Sequence, residues 1–342
     1  MSPALQADGR VIRIDRKQVH VALSGSVGAG AGGVAGESGE RVIPCSVRGR
    51  FFEGQGEEEE SRPVAVGDYV KVDLDDERGE QGTIQGTIVE VLPRRTRIAR
   101  PRPRAPDAWQ VIAANVDLLV IVVSVKEPAP RPGLVDRMLV TAEREGIEPL
   151  IVVNKADLAA QGEAEAFAAP YRALGYRVLL TSATSKAGVD ELEAAMRGKT
   201  AMMLGHSGVG KSSLLNVIDP TVEARIGALV AEGTKMVRGA HTTTSASLHP
   251  LQFGAYLVDT PGVREFGLPP MEPHDLAHWF RDLAPHIPQC KYATCTHDHE
   301  PHCGVKAALD RREIARVRYD TYQKLLAELR GGGQRMARHD SY

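Results

Sequence analysis

The sequence predicts a multidomain protein with an amino-terminal β-barrel, a central α/β domain and a carboxy-terminal helical domain. Residues 11–100 contain about five short β-rich runs separated by turn residues, which is the pattern of a small barrel, with the OB type favoured. From Asp117 onward, apolar strand-like runs alternate with helical segments, as in a doubly wound parallel sheet. After about residue 266 the pattern is helical and includes a cluster of cysteine and histidine residues. The predicted domains are 1–106, 107–265 and 266–342.

Bulk properties exclude several classes of protein. At 342 residues the chain can bury more than one hydrophobic core. Its net charge of −2 gives no global basic field, so any contact with nucleic acid must be local. No apolar run approaches the length of a membrane span and no secretory signal opens the sequence, which predicts a cytoplasmic protein. We expect a monomer.

Three stretches interrupt or follow the barrel pattern. Residues 24–39 are almost all Gly, Ala and Ser, which predicts a flexible insertion. Residues 53–60 are acidic and are predicted to be solvated. Residues 93–106 alternate arginines with prolines; because proline disfavours regular structure, we interpret this stretch as a linker between domains. Its arginines are Arg94, Arg95, Arg97, Arg100, Arg102 and Arg104.

A phosphate-binding loop is predicted in the central domain. The stretch GHSGVGKS, residues 205–212, fits the pattern G-x-x-x-x-G-K-[ST], follows an apolar strand and opens a helix. The glycines let backbone N–H groups surround phosphates, and the helix N-terminus adds positive potential. Lys211 would reach the β- and γ-phosphates, and Ser212 would hold Mg²⁺. The alternative, a glycine-rich turn that matches by chance, is disfavoured by the strand and helix on either side.

Two further segments are placed to sense the γ-phosphate. DTPG, residues 259–262, follows a strand, so Asp259 is predicted to support Mg²⁺ and the Gly262 N–H to contact the γ-phosphate. RGAHTTTS, residues 238–245, lies between the two phosphate motifs, where a nucleotide-sensing switch is expected. Thr243 is the favoured additional Mg²⁺ ligand among three adjacent threonines. The alternative for this segment is a Thr-rich run on a strand edge.

A guanine-reading motif makes the predicted nucleotide GTP. In NKAD, residues 154–157, the Asp157 carboxylate can accept from guanine N1–H and N2–H₂, for which adenine has no equivalent. Asn154 can bond the base edge, the Lys155 stem can pack over the ring, and the Ala183 N–H of the later TSA segment would face guanine O6. The residues predicted to bind GTP are Asn154, Lys155, Asp157, Ser182, Ala183, Gly205, His206, Ser207, Gly208, Val209, Gly210, Lys211, Ser212, Ser213, Thr243 and Gly262.

The carboxy-terminal cluster has the spacing of a zinc site. Cys290, Cys295, His297 and Cys303 supply three thiolates and one imidazole, a closed tetrahedral set that leaves no position for water and therefore predicts one structural Zn²⁺. Crowded cysteines in a reducing compartment favour metal over disulfides. His299 and His302 remain alternative ligands, reduced unligated cysteines remain an alternative state, and the lone Cys45 is predicted to be a buried small residue.

The order of these motifs identifies a family resemblance. NKAD, TSA, GHSGVGKS, HTTT and DTPG occur in the order of circularly permuted GTPases, so the central domain is predicted to be a circularly permuted α/β P-loop GTPase domain. With a barrel before it and the Cys/His cluster after it, the chain resembles the RsgA (YjeQ/EngC) family over about residues 10–330. AVGDYVKV, AANVDLLVIV, DTPGVREFGL and CTHDHEPHCGVKAAL are similar to segments of that family. The chain departs from it in the Gly-rich insertion and at the acidic residues 57–60.

The resemblance implies a GTP hydrolase that binds the small ribosomal subunit and its rRNA, acts late in subunit assembly and is stimulated by the ribosome. Val263 stands where Ras-like enzymes place a water-orienting Gln, so another residue must position the nucleophile. His241 in the switch is the candidate that the resemblance implies, beside Lys211 as the second catalytic residue. The alternative is that His241 is a solvated switch residue.

Several alternatives stay open from the sequence. The chain could be a nucleotide-gated RNA-binding assembly factor whose hydrolysis is incidental, or a permuted GTPase that acts on another ribonucleoprotein. The Arg-rich stretch is the best candidate for rRNA phosphate contacts, although its arginines could instead pair with the acidic run at 57–60. Because the permuted order leads from Gly262 straight into the carboxy-terminal domain, we predict that the γ-phosphate state is passed to that domain.

Overall fold

The computed structural model describes residues 5–15, 18–24, 34–35, 41–48, 64–75, 84–102, 105–222, 246–259 and 267–331. Within these ranges the strands are β1 Leu5–Ile14, β2 Val19–Leu23, β3 Val34–Ala35, β4 Arg41–Val47, β5 Tyr69–Leu74, β6 Gly86–Val91, β7 Arg97–Arg102, β8 Ala105–Ala114, β9 Leu118–Ser124, β10 Glu148–Asn154, β11 Arg177–Leu180, β12 Thr200–Leu204, β13 Ser247–Pro250 and β14 Tyr256–Asp259. The α-helices are α1 Pro132–Glu145, α2 Glu163–Ala173, α3 Val189–Met196, α4 Lys211–Ile218, α5 Gly304–Asp310 and α6 Arg316–Arg330. Short 3₁₀ helices cover Ala156–Leu158, Pro273–Trp279 and Ala284–Gln289.

The amino-terminal strands close into a barrel. They pair in the order β1-β2-β4-β6-β5, and β5 pairs again with β1; the β4–β6 pair is parallel and the others are antiparallel. Alternate residues along the strands point inward, so Val11, Val21, Val70 and Ile88 are fully buried in the barrel core. The predicted five-stranded barrel is confirmed, and the described residues of the Gly-rich insertion include the short strand β3, which pairs with β4.

The central domain is the predicted doubly wound sheet. Its strands run in the order β11-β10-β9-β12-β14-β13, parallel except for β13. Every residue of β9 is buried, because alternate side chains enter hydrophobic cores on opposite faces of the sheet: Leu119 and Ile121 on one face, Val120 and Val122 on the other. Helices α1 and α2 cover the first face, and α3 and α4 cover the second.

A continuous sheet connects the barrel to the central domain. Strand β1 pairs with β13 through Arg13 and Ser247, so the barrel extends the edge of the α/β sheet. The described helices include none that is both long enough and apolar enough to cross a membrane.

The Arg-rich stretch corrects one expectation. Residues 97–102 were expected to lack regular structure, but they form β7, which pairs antiparallel with β8 in a separate two-stranded sheet. Pro101 is tolerated because β7 has one partner strand and a proline without N–H can sit where no ladder bond is needed. The domain boundary predicted after residue 106 falls inside β8 and stays a prediction.

Three arginines of this stretch pair with carboxylates within the protein. Arg94 forms a two-pronged ion pair with the fully buried Asp68, with N–O distances of 2.8 and 3.0 Å. Arg95 contacts Asp117 at 2.9 Å, and the closest N–O distance from Arg97 to Glu145 is 3.5 Å. The alternative pairing with the acidic run 57–60 involves residues outside the described ranges.

The carboxy-terminal domain packs on helix α1. Its hydrophobic core contains Phe280, Tyr322 and Leu325 together with Val140 from α1. Arg281 reinforces this contact by donating to Glu143 at 2.6 Å and by lying 4.0 Å from the centre of the Tyr176 ring. The domain therefore shares a core with the central domain rather than hanging from a free connection.

Candidate functional site

The carboxyl ends of the parallel strands bring the sequence motifs to one edge of the sheet. Asn154 at the end of β10 is paired in register with Ser124 at the end of β9, and Leu204 at the end of β12 is paired with Ile121. β14 runs beside β12 in the same direction and ends at Asp259. This edge is where α/β folds of this kind bind nucleotides.

The phosphate loop, residues 205–212, connects β12 to α4. A side chain at Gly205 would place its Cβ 2.2 Å from the Val122 carbonyl oxygen, so the loop can approach β9 only with glycine there. Lys211 opens α4, and its ammonium donates to the carbonyl oxygens of Gly205 and His206 at 2.8 and 3.1 Å. The ammonium therefore lies across the loop at the N-terminus of a helix, where an anion is stabilised.

Asn154 connects the guanine motif to the phosphate loop. Its side chain is buried; the amide Nδ2 donates to the Val209 carbonyl at 2.9 Å, and Oδ1 accepts from Thr181 Oγ1 at 3.1 Å. Gly210 has φ of +94°, and a Cβ there would lie 2.3 Å from Asn154 Nδ2. The sequence assigned this amide to the base edge; one amide hydrogen remains for that contact, and the other fixes the loops. Thr181 begins the TSA segment, but its hydrogen bond to Asn154 was not predicted, because that motif was assigned to guanine through Ser182 and Ala183 only.

The other guanine-motif residues lie around this link. Lys155 has a left-handed backbone with φ of 58°, and its ammonium donates to the Glu127 carbonyl in the β9–α1 connection. Asp157 is exposed at the 3₁₀ turn. Ser182 is buried; its N–H donates to Ala187 O and its hydroxyl accepts from Ser185 N, both at 3.0 Å, which fixes the turn that carries Ala183. The contribution of Glu127 was also not predicted, because a backbone carbonyl carries no sequence signal.

The oxygen donors predicted for Mg²⁺ lie on neighbouring elements. Ser212 is exposed in the first turn of α4, and Asp259 ends the strand next to the one that leads into the phosphate loop. A hydroxyl and a carboxylate are the hard oxygen ligands that suit Mg²⁺. The predicted switch residues His241 and Thr243, and the sensor Gly262, lie outside the described residues.

A second site lies in the carboxy-terminal domain. The ligand atoms of Cys290, Cys295, His297 and Cys303 all lie within 4.8 Å of one another. His297 Nδ1 is 3.5 Å from Cys290 Sγ and 3.3 Å from Cys303 Sγ. The structure thus brings together the four predicted ligands. By contrast, His299 and His302, the alternatives left open by the sequence, are exposed.

The surroundings of the cluster fit a bound cation. Gly304 N donates to Cys290 Sγ at 3.3 Å and Lys306 N donates to Cys303 Sγ at 3.4 Å. The second of these hydrogen bonds opposes the rise in the pKa of Cys303 that burial causes. Burial raises the pKa of the Cys295 thiol to about 12 and lowers the pKa of His297 to about 4. His297 is therefore neutral and able to ligate at pH 7, whereas the buried thiols need a cation's charge to ionise. Tyr319 OH donates to the His297 carbonyl at 2.7 Å and supports its left-handed backbone.

Sequence comparison places the chain among known GTPases. The family model described as RsgA GTPase matches residues 91–269. A relative from Flavobacterium johnsoniae, named small ribosomal subunit biogenesis GTPase RsgA, is 36% identical over 297 residues, which cover 86% of this chain and 88% of the relative. A relative of the same name from Chlorobaculum tepidum is 39% identical over 85% of this chain and 92% of its own length.

Two solved structures are similar over nearly the whole chain. The crystal structure of YjeQ from Thermotoga maritima is 32% identical, with a TM-score of 0.69, and covers 96% of this chain and 99% of that one. The structure of YloQ, described as a circularly permuted GTPase, is 28% identical with a TM-score of 0.67, and 96% of each chain is covered.

Proposed function

This chain belongs to the RsgA GTPase family, and we propose that it hydrolyses GTP in the biogenesis of the small ribosomal subunit and that the ribosome stimulates the hydrolysis. The observation that carries the proposal is the Asn154 side chain, which links a guanine-reading loop to a phosphate-binding loop at one sheet edge. That link makes one GTP site from two motifs that occur in permuted order.

The described residues give the site its specificity and its charge. Asp157 accepts from guanine, and the loop of Ser182 and Ala183 presents a backbone donor to guanine O6. Lys211 and the N-terminus of α4 offset the charge on the β- and γ-phosphates. Ser212, Asp259 and Thr243 would hold Mg²⁺, which, when bound, stabilises charge on the phosphate oxygens.

Water positioning is assigned to the switch. Val263 cannot orient a nucleophile, and we therefore assign that role to His241. We expect weak basal turnover, on the order of 10⁻³ per second or less, by analogy with small GTPases that act without a partner protein.

The remaining assignments concern the metal site, the surfaces that contact rRNA, and the oligomeric state. The Cys290, Cys295, His297 and Cys303 cluster would hold one structural Zn²⁺. We propose that the barrel and the β7–β8 hairpin contact rRNA, with Arg94 excluded because it is committed to Asp68. We also propose that the protein is a cytoplasmic monomer and that it consists of the three predicted domains.

Single-turnover hydrolysis of GTP with and without isolated small subunits tests this function. We expect stimulation by small subunits and none by large subunits, and we expect His241→Ala to lower the stimulated rate at least tenfold. Co-sedimentation of the GTP-bound protein should follow the small subunit. Equal rates with and without small subunits would reject ribosome stimulation, and normal stimulated turnover in His241→Ala would reject the role of His241.

A further inference from the structure

One barrel side chain contacts both strands that lead into the nucleotide site. Arg10 on β1 donates from Nη2 to Thr200 Oγ1 at 2.7 Å. Its guanidinium carbon lies 5.1 Å from the centre of the Tyr256 ring and 5.2 Å from the centre of the Tyr69 ring. Tyr69 belongs to the barrel, whereas Thr200 and Tyr256 are the first residues of β12 and β14. The guanidinium therefore holds the barrel against the central domain.

The register of the sheet connects the Arg10 contact to the residues proposed to bind phosphate and Mg²⁺. Thr200 and Tyr256 are partners in the β12–β14 pair. At their other ends, β12 leads into the phosphate loop at Gly205, and β14 ends at Asp259. A displacement of Arg10 therefore acts on two short parallel strands whose far ends carry the residues proposed to bind phosphate and Mg²⁺.

A second connection lies along the same edge. Arg13 on β1 pairs with Ser247 on β13, and Ser247 pairs with Asp259 on β14. The row Arg13–Ser247–Asp259 thus runs from the barrel to the predicted Mg²⁺ ligand in three adjacent strands. Strand β13 also begins just after the segment that contains the predicted switch. The barrel and the nucleotide edge are parts of one hydrogen-bonded sheet.

The chemistry of the Arg10 contact suits an interface at which the barrel can shift against the central domain. Among the described residues, its partners are a hydroxyl and two aromatic rings rather than a carboxylate, and its Nε is buried without a hydrogen-bond partner. Cation–π contacts tolerate small lateral shifts, whereas a buried ion pair penalises separation strongly. The Arg10 contact therefore fixes the position of the barrel without a described ion pair that would resist movement.

We propose that Arg10 is a positioning residue for stimulated hydrolysis: engagement of the barrel by the small subunit moves Arg10, and Arg10 adjusts the phosphate loop and Asp259 through β12 and β14. This inference rests on the proposed function, because it requires a subunit that stimulates the enzyme. It assigns the barrel a part in activation as well as in binding.

The test compares the ratio of stimulated to basal GTP hydrolysis among matched variants. Arg10→Met removes the charge and the hydrogen bond, and Thr200→Val removes only the acceptor while keeping the side-chain volume. Arg172→Met is the control, because Arg172 on α2 lies outside the barrel and pairs with the exposed Glu165. Affinity for a non-hydrolysable GTP analogue, measured without ribosomes, checks that each variant keeps its nucleotide site.

We expect Arg10→Met to lower the ratio at least fivefold and Thr200→Val to lower it about threefold, with the double variant no lower than Arg10→Met alone because both act through one contact. Arg172→Met should leave the ratio unchanged. If Arg10→Met weakens binding of the analogue, Thr200→Val decides, and a wild-type ratio in that variant overturns the inference. A wild-type ratio in Arg10→Met overturns it as well. Absence of stimulation in the wild-type protein overturns the proposed function and this inference together.

Discussion

The guanidinium of Arg318 on α6 forms a buried ion pair with the carboxylate of Asp136 on α1. The same guanidinium donates to both carboxylate oxygens of Asp282, at 2.9 and 2.8 Å. Burial raises the pKa of Asp136, and the neighbouring Arg318 opposes that rise. One arginine in the carboxy-terminal domain thereby joins its own domain to the first helix of the GTPase domain.

Removal of Arg318 should detach the carboxy-terminal domain from α1. We expect Arg318→Met to lower the free energy of unfolding of that domain by about 3 kcal/mol or more, because it leaves buried carboxylates without a counter-charge. Trp279 fluorescence in a urea titration reports this domain. The control is Arg316→Met on the same helix, whose exposed pair with Asp320 should contribute less than about 0.5 kcal/mol. Equal midpoints for the two variants would contradict the assignment.

The sequence predicted the parts of this protein whose signal is local. The barrel, the apolar strands of the central sheet and the clustering of three cysteines with one histidine were predictable, because each depends on periodicity or short spacing. The start of α4 at Lys211 was predictable for the same reason. The Arg318–Asp136 pair joins residues 182 positions apart and was not predictable, because nothing near either residue indicates the other. The contact between α1 and the carboxy-terminal domain therefore came only from the fold.

The predictions that were wrong or incomplete concern contacts between segments that are distant in the sequence. The Arg-rich stretch was interpreted as irregular because of its prolines, yet residues 97–102 form a strand with a single partner, where proline is tolerated. Arg94 was a candidate for RNA contact, although it pairs with the buried Asp68. In the nucleotide site, the motif identified Asn154 but not its partners, a backbone carbonyl and the Thr181 hydroxyl.

Substitutions at Asn154 and Thr181 should separate the two roles of the amide. We expect Asn154→Ala to lower GTP affinity about 100-fold, because it removes the contact to the base edge and releases the phosphate loop at Val209. Thr181→Val removes only the hydrogen bond to Asn154 Oδ1 and should lower affinity about fivefold. Equilibrium titration with a fluorescent GTP analogue measures both. Losses of equal size would show that the link to Val209 contributes nothing beyond orientation by Thr181.

Single histidine variants should identify the imidazole ligand of the metal. We expect His297→Ala to lose bound zinc during dialysis against a chelator and to unfold the carboxy-terminal domain, because the ligand set falls from four to three. His299→Ala and His302→Ala are matched controls, since both side chains are exposed, and each should retain one zinc per chain. Zinc content by elemental analysis and Trp279 fluorescence give the readout. Full zinc retention in His297→Ala would remove it from the ligand set.

Glu300 should make the loop between His297 and Cys303 sensitive to acid. Burial opposes its ionisation, but hydrogen bonds from Thr296 Oγ1 and from the N–H groups of Thr296 and Asp298 lower its pKa to about 2. Because the folded pKa lies below the unfolded value of about 4.3, this stabilisation is complete above pH 4.3 and is lost as pH falls toward 2. The urea midpoint of wild type should therefore exceed that of Glu300→Gln by a constant amount from pH 7 to about pH 5, and the difference should shrink below pH 5.

Glu313→Gln is the control, since the Glu313 carboxylate pairs with Arg311 on the surface and should show a smaller difference at every pH. A difference for Glu300→Gln that stays constant down to pH 3 would mean that its ionisation does not stabilise the loop.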